Sequence, residues 1–94
     1  MVTIYKQILK PDSIKDGAYK CEFIAPKDIY PLSVGLQNGN VCLWYECDPS
    51  KPSVPTHIFC VGTGFGAVPK GRFLGTVVND PYAWHFYDPF CIES

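Results

Sequence analysis

Apolar and polar residues alternate with a period of two over much of this chain, and that period predicts strands. Leu32, Val34 and Leu36 alternate with Ser33, Gly35 and Gln37. After Asn38-Gly39 the alternation resumes, with Val41, Leu43 and Tyr45 set against Cys42, Trp44 and Glu46. Asn-Gly between two such runs signals a two-residue hairpin turn, because both turn positions favour positive φ. The matched runs predict an antiparallel hairpin of residues 32–37 with 40–47, in which Leu36 faces Val41, Val34 faces Leu43 and Leu32 faces Tyr45 on one core face. On the other face Gly35 opposes Cys42 and Ser33 opposes Trp44, so a large ring stands over small neighbours. Further strands are predicted over 17–25, 56–61, 72–78 and 82–87, each bounded by glycine or proline turns such as Asn79-Asp80-Pro81. The best helical window, 4–10, is short, is closed by Pro11, and reads equally well as an edge strand. Six or seven short strands with short turns predict one mainly β domain over 1–94, a small antiparallel meander closing as a sandwich or half-barrel.

Length and composition narrow what such a domain does. A chain of 94 residues has room for one core and buries roughly 60–65% of its unfolded surface. Aromatics make up 15% of it, more than a core this small hides easily, so some rings are expected at an interface or a stacking pocket. Eight basic residues against nine acidic ones leave a net charge of −1. General DNA or RNA binding needs a basic surplus and is therefore not expected. A small anionic ligand needs only two or three convergent cations, and near-zero charge makes self-association easy, so a homo-oligomer is expected. The first residues lack the basic start and apolar run of a signal peptide, and no stretch nears the ~20 apolar residues that span a bilayer. A cytosolic setting follows as the expectation, with no membrane association. It makes Cys21, Cys42, Cys47, Cys60 and Cys91 free thiols in or near the core, since their number is odd and no CxxC occurs.

Catalytic signatures are weak. His57 and His85 lie on predicted strands, with no nucleophile elbow or oriented third group beside them. No spacing of His, Cys or carboxylates suits a metal. Neither an enzyme nor a cofactor is expected. Gly62-Thr63-Gly64-Phe65-Gly66 lacks the Lys and Ser/Thr of a P-loop and is followed by no helix. A glycine-rich turn still exposes backbone N–H groups that form an anion-binding nest, and Lys70 and Arg72 follow a few residues on. In Tyr82-Ala83-Trp84-His85-Phe86-Tyr87, alternation puts Tyr82, Trp84 and Phe86 on one face and His85 and Tyr87 on the other. Such a strip suits core packing, a protein interface or base stacking.

The order of these features carries a resemblance. Thr3-Ile4-Tyr5-Lys6, Leu32-Ser33-Val34, Gln37-Asn38-Gly39, Cys42-Leu43-Trp44, Asp48-Pro49, Val61-Gly62-Thr63-Gly64, Leu74-Gly75-Thr76-Val77 and Trp84-His85 together resemble a family of small β-rich proteins encoded by tailed phages and prophages. The chain departs from that pattern between Pro11 and Tyr30, which runs longer here. The resemblance implies an accessory protein made in the host bacterial cytoplasm that acts against host defence. Two classes follow: a sponge that sequesters a cyclic-nucleotide-type signal without cleaving it, or an inhibitor that masks a host defence nuclease or effector protein. In the sponge reading a base stacks on Trp44 or Trp84 with His85 nearby, and its phosphates are received by Lys70, Arg72 and the Gly62, Thr63, Gly64 turn.

Overall fold

The structure is a computed structural model that describes residues 1–10, 19–64 and 67–89. Seven strands form in it: β1 (Thr3–Leu9), β2 (Tyr19–Pro26), β3 (Tyr30–Gln37), β4 (Asn40–Cys47), β5 (Ser53–Gly62), β6 (Arg72–Asn79) and β7 (Tyr82–Asp88). There is no helix among the described residues. The ambiguous segment 4–10 is β1, an edge strand. The first residues of the strand expected from position 17, together with Phe65, Gly66 and Cys91, lie outside the described residues.

Two antiparallel sheets pack face to face, one ordered β1-β4-β3 and the other β2-β5-β7-β6. This is the expected sandwich and not a closed barrel, and the expected meander needs correction. Only β3-β4 and β6-β7 are hairpins between sequence neighbours. The chain changes sheet from β1 to β2, β2 to β3 and β4 to β5, and between β5 and β6 it stays in one sheet but leaves room for β7. Crossing lets two narrow sheets each show an apolar face to the other, which one sequential ribbon of this length achieves less well. That core joins Val41, Leu43 and Tyr45 of β4 to Phe23, Ile58, Cys60, Val77 and Phe86 of the other sheet. Leu43, Ile58 and Phe86 have no exposed surface, so each contributes about 1.5–3 kcal/mol of burial.

The β3-β4 hairpin forms as the alternation predicts, with Asn38 at φ 53° and Gly39 at φ 78° in the turn. Leu36 faces Val41, Val34 faces Leu43, Gly35 faces Cys42 and Ser33 faces Trp44. Beyond Ser33 the expected register fails. A bulge between Pro31 and Ser33 places Pro31, not Leu32, opposite Tyr45. Proline has no N–H for the ladder, and a bulge is where a strand accommodates that loss.

On one side of the sandwich β3 and β6 come close together. Arg72 fastens this side. Its guanidinium donates to the carbonyl of Pro31, lies 3.5 Å from the buried Asp88 carboxylate and sits 4.6 Å from the centre of the Tyr30 ring. Gly71 precedes it at φ 130°, and a Cβ there would fall 2.2 Å from the carbonyl oxygen of Asp88, so only glycine fits. Cys21, Cys42, Cys47 and Cys60 are buried free thiols. A hydrogen bond with Cys21 and then burial push the Cys60 thiol far above its ordinary pKa, away from the reactive thiolate.

Candidate functional site

Two turns from opposite sheets meet at one end of the sandwich. One is the Asn38-Gly39 hairpin turn. The other joins β6 to β7 through Asp80-Pro81, whose peptide bond is cis, as in type VI turns. Between them opens a cleft of about 520 Å³, within the usual range for small-molecule sites. Tyr82 and Trp84 form its aromatic wall, and Asn40, Asn79, Asp80 and Lys10 supply its polar groups. Period two along β7 puts Tyr82 and Trp84 on the same face. Their rings lie 5.3 Å apart and tilted by 32°. Trp84 is 7% exposed and belongs to the core, whereas Tyr82 at the strand end is 49% exposed. The pair is thus a buried ring backing an open one.

On the far side of the turn, Gly62, Thr63, Pro81, Tyr82 and Ala83 line a second hollow of about 280 Å³. Tyr82 and Pro81 belong to both spaces, so the tyrosine stands as a partition between them. The Thr63 N–H is already donated to the Ala83 carbonyl at 3.1 Å, which ties the glycine turn to β7. Gly64 sits at φ 79° and faces open space.

Of the eight residues expected to form a ligand site, the fold gathers Gly62, Thr63 and Trp84 around Tyr82, with Gly64 following in the turn. His85 is close in sequence but points the other way. Its Nε2 lies 2.8 Å from Thr63 Oγ1 and its Nδ1 2.8 Å from Thr76 Oγ1, both on the outer face of the sheet. Trp84 and His85 therefore cannot flank one ligand, since adjacent strand residues face opposite ways. Trp44 is further away still, on the outer face of the three-stranded sheet between Lys6 and Ser33. There its ring covers Gly35, whose Cβ would lie 3.4 Å from it.

The expected phosphate residues Lys70 and Arg72 are at the opposite end. Gly62 pairs with Trp84 and Arg72 with Asp88, four residues along β7, or about 13 Å at the rise of a strand. Lys70 is exposed there, and Arg72 is engaged within the molecule. The cationic residue at the cleft is Lys10, which the strand pattern marked only as the end of an edge strand. Asn40, Asn79 and Asp80 read in the sequence as turn residues, with no sign that their turns meet. Spacing along the chain does not specify which turns share an end of a sandwich.

A second feature lies on the outer face of β2-β5-β7-β6. Phe59 and Phe73 both pair with Tyr87. Phe73 and Tyr87 rings are 5.4 Å apart, His57 and Phe59 rings 5.2 Å, and Phe73 is 53% exposed. The result is an aromatic strip across the sheet. Among the described residues no group of three or more His, Cys, Asp or Glu side chains is placed to hold a metal ion. No helix there is long and apolar enough to cross a membrane.

The fold and cleft define a small antiparallel β-sandwich with a recess at one end. The chain belongs to the family described as Domain of unknown function (DUF7352), whose model matches residues 1–90. No curated protein and no solved structure matches it.

Proposed function

We propose that this protein is a binding module that holds a small base-bearing anionic ligand in the end cleft and acts by sequestering it unchanged. The observation that carries the reading is the Tyr82–Trp84 pair at the wall of a cleft that also presents Asn40, Asn79, Asp80 and Lys10. A half-exposed ring backed by a buried one is a fixed stacking surface, and stacking a base on it contributes about 1–3 kcal/mol. The carboxamides offer donors and acceptors to a base edge, and Lys10 offers charge to a phosphate. In a phage setting, which the sequence resemblance implies, the ligand would be a nucleotide-type defence signal in the host cytoplasm. Exposed Ile4, Tyr5 and Ile8 on edge strand β1 give a homo-oligomer a surface to form on.

Calorimetry with a panel of mononucleotides and cyclic dinucleotides tests the reading. Purified protein should bind at least one, release it intact on denaturation, and lose roughly tenfold or more in affinity as Tyr82→Ala. No binding to any of them, or equal binding by the variant, overturns it. The aromatic strip of Phe73, Tyr87 and Phe59 supports a second reading, a protein-binding inhibitor that grips a host effector through that face. A Phe73→Glu variant that loses capture of a host nuclease while nucleotides never bind would favour it.

A further inference from the structure

The polar groups of the cleft differ in kind, and the difference bears on which base fits. Asn40 and Asn79 carry carboxamides, which both donate and accept, so they tolerate any base edge. Asp80 carries a carboxylate, which at neutral pH only accepts. It lies in the turn immediately before Pro81 and Tyr82 and lines the same cleft as the ring on which a base would stack.

We infer that the cleft selects guanine, with Asp80 as the discriminating residue. The inference rests on the proposed nucleotide reading and adds the identity of the base. On its pairing edge guanine presents two adjacent donors, N1–H and the N2 amino group, which match the two oxygens of one carboxylate. Adenine and cytosine present one amino donor beside a ring nitrogen lone pair. Against a carboxylate that lone pair meets an acceptor, so the same group that rewards guanine repels them. Uracil has a single N–H flanked by two carbonyl oxygens and fares no better. Hydrogen bonds to a charged acceptor are the strong class, which makes the carboxylate, not the carboxamides, decisive.

Calorimetry with GMP, IMP and AMP on the parent and on Asp80→Asn is the test. GMP should bind the parent about ten- to a hundredfold more tightly than AMP, with IMP, which lacks the N2 amino group, in between. Asp80→Asn should bring GMP down to near the AMP affinity while leaving AMP unchanged or slightly tighter. Asp80 is an exposed turn residue, so the variant should fold, and thermal melts check that it does. Equal GMP and AMP affinity in the parent, or GMP binding untouched in Asp80→Asn, overturns guanine selection. If in that case Tyr82→Ala still weakens both nucleotides, the cleft remains a nucleotide site without base choice. No binding of any of the three overturns the selection, and no binding of the cyclic dinucleotides as well overturns the site.

Discussion

The two ends of β7 use polar residues in opposite ways. Near Asp88 the polar groups face each other: Arg72, the Asp88 carboxylate and the Pro31 carbonyl form one internal cluster that ties β6 to β3. Near Tyr82, Asn79 and Asp80 face an open cleft together with Asn40 across the gap. Both ends contain residues that a sequence reader would nominate for ligand binding. The second opens onto a cleft of about 520 Å³. The basic residue with the stronger claim in the sequence, Arg72, has its charge engaged within the molecule.

Substitutions at the closed end should therefore change stability and leave binding alone. The largest effect is expected at Gly71. Its φ of 130° strains any other residue, and the added methyl would meet backbone, which does not swing aside as a side chain does. Gly71→Ala should lose about 4 kcal/mol or more, enough to leave much of so small a domain unfolded at 37 °C. A urea titration by far-UV circular dichroism measures it. A midpoint shift of less than a tenth would show that the strand can move.

Arg72→Ala comes next. Asp88 has a side chain only 3% exposed, and removing Arg72 takes away the cation 3.5 Å from that buried carboxylate. Breaking a fully buried pair costs about 3–5 kcal/mol, and partial exposure of Arg72 together with the 3.5 Å separation reduces this to about 2–3. For a domain of this size the melting temperature should fall by about 10–20 °C. Nucleotide affinity below the melt should stay within twofold of the parent. A variant that melts normally but no longer binds would return Arg72 to the ligand site and undo the contrast between the two ends.

Tyr82→Ala should behave in reverse, with affinity lost and the melting temperature nearly unchanged, because its ring is half exposed at a strand end. The pair of variants makes a double dissociation. If Tyr82→Ala unfolds the protein as Arg72→Ala does, the ring belongs to the core and the cleft lacks a stacking surface.

How much of this was legible in the residues follows from the range of each signal. The β3-β4 hairpin was readable to the register, because alternation and Asn38-Gly39 are local signals that agree. The register broke at Pro31, where a lost N–H outweighs alternation. Period two also separated Trp84 from His85, so their divergence is what that rule requires. Sheet membership was not readable, since either sheet satisfies an alternating strand. The site inherited that limit: Asn40 and Asn79 lie 39 positions apart and meet only because their turns fall at one end of the sandwich.

The smallest predicted effect concerns His57, on the outer face beside Phe59. Burial first, then the nearby charge of Lys20, lowers its pKa, and Glu22 opposes them in part. The unfolded imidazole titrates near its ordinary value, about 6.5. Between the lowered folded value and that point the unfolded chain holds more protons than the folded one, so stability rises with pH across the interval. It falls as pH is brought down through 6.5, and His57 adds nothing further once both states are protonated. Asp48 acts in a separate, lower window. Hydrogen bonds from Ser50 hold its pKa down, so its contribution is present above the ordinary carboxylate value and lost as pH falls through the lowered one. Urea midpoints at pH 5, 6 and 7 on the parent and on His57→Gln isolate the histidine. The parent should lose stability from pH 7 to pH 5 by more than the variant does. Parallel curves would mean that the strip around Phe59 leaves His57 as free to protonate as in the unfolded chain, and that this face is wetter than its packed rings imply.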